Sequence, residues 1–178
     1  MEGEAPQGDF AIAYFAGGCF WCTESDYEQI PGVVDVVSGF SGGTTESPTY
    51  AAVSSGQTTH TEAVKVTYDP MQVDYETLLQ VFWSSHDPTD AEGQFVDRGK
   101  QYRPAIFYHT EEEKQLAEAS KQELDDSRKF DKPVRTEVTR FTSFFPAENY
   151  HQDYHTKNPL RYKLYRGGSG RDQFLDAA

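Results

Sequence analysis

The chain has 178 residues, enough for one domain with one sizeable core; 37% of them are apolar and 14% aromatic. A formal net charge of −13 repels phosphate backbones and anionic lipid, which argues against nucleic acid and membrane surfaces as partners. No stretch approaches the ~18 apolar residues of a membrane span. The acidic start Met1-Glu2-Gly3-Glu4-Ala5-Pro6 lacks the apolar run of a signal peptide, so a cytoplasmic protein is expected.

Residues 1–8 read as a flexible lead. Phe10-Ala11-Ile12-Ala13-Tyr14-Phe15 predicts a buried strand, and Gly17-Gly18 a turn after it. From Cys19 to Ile30 a helix is expected, stopped by Pro31-Gly32. Val33 to Phe40 is β-branched and reads as a strand. Residues 42–60 form a polar loop. Glu62 to Tyr68 alternates apolar and polar, as a half-buried strand does, and Asp69-Pro70 ends it. Tyr75, Leu78, Leu79 and Phe82 recur at helical spacing behind Asp74 as cap.

Residues 87–103 are a second long polar loop. Ala105 to Tyr108 is a strand. Thr110-Glu111-Glu112-Glu113 is a capping box that opens a helix to about Ser127, with a Leu116/Leu124 seam on an otherwise charged surface. Val134 to Phe141 is a last strand. Residues 145–178 are aromatic, charged and Gly-rich with little regular pattern, and 156–178 reads as an irregular C-terminal tail. This order predicts an α+β, two-layer sandwich: a mixed sheet with helices packed on it, containing a split β-α-β (ferredoxin-like) unit. A single catalytic domain over 1–178 is expected. Loops as long as 42–60 and 87–103 in a compact domain are usually functional.

The two cysteines sit three apart, in Gly17-Gly18-Cys19-Phe20-Trp21-Cys22. A secreted disulfide framework would spread more of them along the chain. Cys19 follows a strand and turn and begins a helix, whose unpaired N–H groups and dipole favour a thiolate there. Cys22 lies one helical turn on, within reach of an oxidised Cys19. Other readings compete: buried apolar filler, a zinc-bound interaction module using His151 and His155, or a dithiol–disulfide oxidoreductase. Against the last, two bulky aromatics, Phe20 and Trp21, stand between the cysteines and look like a substrate wall. His60, His86 and His109 read as structural or surface histidines.

Gly18-Cys19-Phe20-Trp21-Cys22 resembles the A-type peptide methionine sulfoxide reductases, which act on the S epimer at sulfur. Ser47-Pro48-Thr49-Tyr50, Gly56 through His60 to Val64, Gln94 to Arg103, and Phe145 to Tyr154 resemble four further segments of that family. The resemblance implies Cys19 as nucleophile, Phe20 and Trp21 as methyl pocket, and Tyr50, Glu62, Asp97 and Tyr102 as polar partners. Chemistry agrees with each role. Reduction of a sulfoxide needs a nucleophile at sulfur and a proton for the departing oxygen. Aromatic rings hold a sulfur-borne methyl, and tyrosine hydroxyls donate to the oxygen. Glu62 would have to be protonated to act as acid, which burial beside aromatics achieves. Asp97 is expected to fix a water or a hydroxyl.

Many members of that family carry recycling cysteines near the C-terminus, and here Gly167 to Ala178 holds none. A sulfenic acid on Cys19 must then be resolved by Cys22 or by an external thiol. The resemblance implies thioredoxin as reductant and oxidised methionine, free or in peptides and proteins, as substrate. No cofactor and no metal are expected, and the chain is expected to act as a monomer.

Overall fold

The computed structural model describes residues 9–177; the expected lead over residues 1–8 lies outside the described residues. The first strand, β1 (Ala11–Ala16), is buried on both faces. Ala13 and Phe15 point into the larger core, and Tyr14 and Ala16 into a smaller one. Helix α1 (Phe20–Glu28) leads to β2 (Val33–Ser41), and a short helix α2 (Tyr50–Ser54) interrupts the first polar loop before β3 (Thr61–Tyr68). Helix α3 (Tyr75–Trp83) begins where Asp74 Oδ1 accepts from Thr77 N–H at 2.8 Å, the cap expected from its sequence. The second loop carries a two-stranded ribbon, β4 (Gly93–Gln94) with β5 (Asp97–Arg98), and a 3₁₀ turn over Lys100–Tyr102.

Strand β6 (Ala105–Tyr108) is followed by α4 (Glu111–Asp126). Thr110 caps α4 by accepting from Glu113 N–H at 3.1 Å. Glu113 reaches past Thr110 to accept from His109 N–H, so the capping box closes one residue early. Two further strands follow, β7 (Glu137–Arg140) and β8 (Phe144–Pro146). The C-terminal stretch is not irregular. It folds into α5 (Tyr154–Lys157), α6 (Pro159–Ser169) and α7 (Arg171–Ala177). Pro159 occupies the first turn of α6, where its missing N–H costs nothing, and Gly170 ends that helix at φ 96°.

The six-stranded sheet runs β7-β6-β1-β3-β2-β8. β1 and β2 both lie antiparallel to β3 between them and are joined by α1, which is a split β-α-β unit. β3 and β6 both flank β1 antiparallel and are joined through α3, a second such unit interleaved with the first. Only β6 and β7 pair in parallel, so the sheet is mixed. Residues of α1, α3 and α4 share one core with one face of the sheet. There Phe15 stacks near Tyr27, Tyr75 and Phe82, with ring centroids 5.1, 6.1 and 5.4 Å away. The other face is covered by Phe141 and Phe144 over Tyr14, Ala63 and Phe107. Among the described residues no helix is long and apolar enough to cross a membrane.

Candidate active site

The turn after β1 is shaped by Gly18. Its φ is +92°, and a Cβ there would lie 2.7 Å from Gln94 Cβ and 2.8 Å from Arg171 Nη2, so only glycine fits. Cys19 is the N-cap of α1. Its carbonyl accepts from Cys22 N–H at 3.1 Å and Thr23 N–H at 3.4 Å, while its side chain makes no capping bond and leaves the thiol uncommitted to the backbone. The next N–H, on Phe20, is one a helix start cannot satisfy internally. It donates to Glu62 Oε1 at 3.1 Å. Glu62 is 1% exposed. It sits on β3 in phase with Val64 and Val66, so the strand's alternation points it toward the helix-covered core beside its cross-strand partner Phe40.

The aromatics form the wall. Phe20 is buried, 5.8 Å from Phe40 and 6.2 Å from Tyr50 between centroids. Trp21 is half-buried. Its ring stacks on Tyr154 at 3.9 Å, meets Tyr165 edge-on at 5.7 Å, and its Nε1–H donates to His151 Nδ1 at 3.1 Å. His151 in turn lies 4.1 Å from the Tyr50 ring. Tyr50 enters from the start of α2, where its N–H donates to Glu148 Oε1. Asp97 comes from β5 and accepts from the Tyr165 hydroxyl. Tyr102 comes from the 3₁₀ turn.

These groups lie close enough to weigh on one another's protonation. Burial pushes the hydroxyls of Tyr50 and Tyr102 well above the usual tyrosine range, and Glu62, Cys19 and Asp97 add to the rise in both. Burial likewise holds the Glu62 carboxyl well above the carboxylate range; the Phe20 N–H bond pulls the other way without prevailing, and Asp97 and Cys22 push further up. Asp97 is raised by burial against the pull of Tyr165 and Arg171.

The thiols differ from the expectation of a thiolate at the helix start. Cys19 is 5% exposed, and burial, then Cys22, then Glu62 and Asp97 raise it well above the usual thiol value. The resting site therefore holds Cys19 protonated, because desolvation and neighbouring acids outweigh the helix end. Cys22 is fully buried yet lowered to about 7, first by a hydrogen bond from Cys19, with Arg171 and Arg166 assisting against burial.

Thus Cys19, Cys22, Phe20, Trp21, Glu62, Tyr50, Asp97 and Tyr102, all singled out from the sequence, lie around one site. His151, Tyr154, Tyr165 and Arg171 join them; the sequence offered His151 only as a zinc ligand and gave the other three no chemistry, because the segment that carries them has no strong apolar period. Pro159 at a helix start and Tyr162 and Arg166 at i, i+4 were the signals available. His151 and His155 do not meet the cysteines: His151 serves Trp21, and His155 Nε2 pairs with Glu28 at 2.9 Å. Among the described residues, one cluster has metal-ligand atoms within 4.8 Å of one another, Glu24, Glu28 and His155, and it includes neither thiol. A cavity of about 500 Å³ on the second loop, lined by Asp87, Glu92, Arg98 and Arg135 among others, also lies apart from the site residues.

A dithiol at a helix start, walled by aromatics and faced by a neutral carboxyl and two tyrosine hydroxyls, defines a thiol-dependent reductase of a polar, methyl-bearing group. The chain belongs to the peptide methionine sulfoxide reductase family, whose model matches residues 11–178. It is 54% identical over 173 residues to the peptide methionine sulfoxide reductase MsrA/MsrB of Vibrio cholerae, covering 97% of this chain but only 46% of that protein. To the MsrA of Listeria innocua it is 54% identical over 165 residues, 93% of each chain. Among solved structures, Mxr1 of Saccharomyces cerevisiae in reduced form superposes with a TM-score of 0.80 at 31% identity, covering 87% of this chain and 88% of that one. The same yeast protein in complex with Trx2 superposes with a TM-score of 0.57 at 20% identity, covering 84% and 87%.

The raised Glu62 makes a stability prediction. Its folded pKa lies above the ordinary 4.5, so above that pH the unfolded chain sheds a proton that the folded chain keeps. Stability must therefore fall as pH rises from about 4.5 toward the folded value. Urea unfolding of wild type and Glu62→Gln across this window should show a steeper decline in wild type; parallel curves would mean that Glu62 ionises freely.

Proposed function

We propose that this protein reduces the S epimer of methionine sulfoxide, free or in peptides and proteins, to methionine. The observation that carries the reading is Glu62, a buried carboxyl kept neutral by desolvation and hydrogen-bonded to the first N–H of the helix that Cys19 caps. The substrate methyl packs against Phe20 and Trp21. Its oxygen lies among Glu62, Tyr50 and Tyr102, each able to donate. The Cys19 sulfur attacks the substrate sulfur as Glu62 delivers a proton to the oxygen, and the proton that the Cys19 thiol gives up restores the Glu62 carboxyl. Oxygen passes to Cys19, and methionine leaves with a sulfenic acid on the enzyme. Asp97 takes no proton in this scheme; it holds Tyr165, which contacts Trp21 and so braces the methyl wall.

Cys22 then attacks the Cys19 sulfur, forming a disulfide and releasing water. Thioredoxin restores the dithiol. Its thiolate reaches Cys19 rather than Cys22, because Cys22 is fully buried. Cys22, lowered to about 7, is also the better leaving group. No step calls for a cofactor. A working pair of free thiols fits a reducing compartment, the cytoplasm, and a single catalytic domain acting as a monomer suffices for the scheme.

An epimer-resolved assay of methionine sulfoxide with thioredoxin or dithiothreitol tests the reading. Wild type should consume the S epimer and leave the R epimer, and Cys19→Ser should lose essentially all turnover. Insulin-disulfide reduction without sulfoxide consumption would instead mark a general dithiol oxidoreductase. Glu62→Gln, which keeps shape but has no proton to give, should lower the methionine-forming rate by about 10²-fold or more near neutral pH; an unchanged rate removes Glu62 from the proton transfer. Cys22→Ser should still form one equivalent of methionine while thioredoxin-dependent turnover slows. Undiminished turnover would mean that the external thiol attacks the sulfenic acid itself.

A further inference from the structure

Arg171, at the start of α7, is the largest side chain that the fold buries almost completely, at 2% exposure. Its Nη1 donates to the Ser85 carbonyl at 2.7 Å and its Nη2 to the Gly17 carbonyl at 3.0 Å, and the guanidinium lies 5.0 Å from the centre of the Phe95 ring. Among the described residues no carboxylate forms an ion pair with it. A buried cation without a paired anion is costly, and two backbone carbonyls offset only part of that cost. Its charge is left to act on what surrounds it. Its Nη2, on the Gly17 carbonyl and 2.8 Å from where a Cβ on Gly18 would lie, sets that charge against the turn that opens α1. There it favours the anionic form of Cys22, second to the hydrogen bond from Cys19, and those of Asp26 and Asp97. Arg166, the other cation near Cys22, is already paired with Asp26 at 2.9 Å and Asp172 at 2.8 Å. The groups that weigh most on Cys19 are Cys22 and the acids Glu62 and Asp97, so the two thiols sit in unlike fields.

We propose that Arg171 is a positioning residue for the resolving step: its unpaired buried guanidinium holds Cys22 as the thiolate that attacks the Cys19 sulfenic acid, while the same side chain clamps the Gly17 carbonyl and fixes the loop that carries Cys19. The inference rests on the reading of Cys22 as resolver. In the step, the Cys22 sulfur forms a bond to the Cys19 sulfur and the S–O bond of the sulfenic acid breaks. The leaving hydroxide takes up a proton, the equivalent of the one Cys22 gave up, so one water is released and Cys22 supplies the electron pair. The charged and titratable groups facing Cys22 are Cys19 at the helix cap, Asp26 on α1, Glu62 on β3, Tyr162, Tyr165 and Arg166 on α6, and Arg171 on α7. Arg171 is the cation of these that, among the described residues, stands in no ion pair, although Asp26 and Asp97 lie within its field.

The experiment follows two rates in the full-length protein after mixing with free methionine S-sulfoxide and no external reductant: release of methionine, and formation of the Cys19–Cys22 disulfide by mass spectrometry after acid quench. Both are taken as functions of pH for wild type, Arg171→Met and Arg171→Lys. In wild type the disulfide rate should rise with a midpoint below the ordinary thiol value of 9.0. Arg171→Met should lower the ratio of disulfide formation to methionine release about tenfold near neutral pH and raise the midpoint by about one unit. Arg171→Lys, which keeps the charge, should recover most of the ratio. If Arg171→Met slows both rates together and leaves the midpoint in place, Arg171 is only a structural brace and the proposal fails. Should Arg171→Met not fold, the wild-type profile decides alone: a midpoint near the ordinary thiol value of 9.0 overturns the proposal. Wild type that releases methionine but forms no disulfide would instead overturn the reading of Cys22, and this proposal with it.

Discussion

One hydrogen bond ties the molecule's architecture to its chemistry: the Phe20 N–H of α1 donating to Glu62 on β3. A helix start leaves N–H groups without partners, and an acid supplied from a neighbouring strand is a normal way to satisfy one. Here the acid is so deeply buried that two demands conflict. An ionised carboxylate would serve the helix end best, and a neutral carboxyl suits the apolar surroundings of Phe20 and Phe40. Desolvation is the larger influence on Glu62 and the Phe20 bond the smaller, so the neutral form prevails. The position that completes the helix cap thereby holds a protonated carboxyl, as the proposed proton donor requires, in the cluster that includes the residue capping the same helix.

The other side of the site is built from segments with little regular structure of their own, and they are stitched to the sheet by side chains acting as backbone. The Gln152 amide does this most directly. Its Oε1 accepts from Ser38 N–H at 2.9 Å and its Nε2 donates to the Ser38 carbonyl at 2.8 Å, pairing with β2 as a neighbouring strand would. One residue on, Asp153 N–H donates to Glu24 Oε1, and the Ser38 hydroxyl donates to Glu24 Oε2. Burial pushes Glu24 up to about 7. This anchor places His151 and Tyr154 against Trp21 and Tyr50. The aromatic wall thus stands on α1 on one side and is held on the other by a few well-satisfied polar groups, whose satisfaction matters more in a dry interior than their number.

How far the sequence could be read follows from the same physics. Strands β1, β2, β3, β6 and β7 were legible as apolar or β-branched runs, whereas β4, β5 and β8, two or three residues each, were not, and β8 follows the strand expected to be the last. Asp74 and Thr110 marked helix starts because capping is local chemistry. The phase of Glu62 with Val64 and Val66 was visible and contradicted the ordinary reading of a solvated strand-end acid. Helix α6 was not legible, because its amphipathicity is inverted. Leu160 and Leu164 face solvent at 69% and 66% exposure, while Tyr162, Tyr165 and Arg166 turn inward to hydroxyl, carboxylate and ring partners. Gly167-Gly168 in its last turn weakens the helical signal further. Helix α2 is a single five-residue turn, too short for any period to show. The protonation of Cys19 was misread for a different reason: helix-end position is written in the sequence, but the depth of burial and the closeness of Glu62 and Asp97 arise only from tertiary packing.

That correction changes how the two sulfurs divide the work. A thiol buried among acids is a poor resting nucleophile, and this protects it from casual oxidation while the site is empty. On the proposed mechanism it becomes reactive when a sulfoxide brings both an electrophilic sulfur and an oxygen able to take the Glu62 proton, which would couple the chemistry to the presence of substrate. The partner sulfur has the opposite bias. Cys22 is wholly buried yet tends to the thiolate, because the Cys19 hydrogen bond and nearby guanidinium charge act on it. Such a group is well placed to attack a sulfenic acid one helical turn away and, once in a disulfide, to leave. The two fields therefore set a direction. In the proposed scheme oxygen enters at Cys19, electrons arrive from Cys22, and the incoming reductant is led back to Cys19, the only sulfur of the pair with any surface to offer.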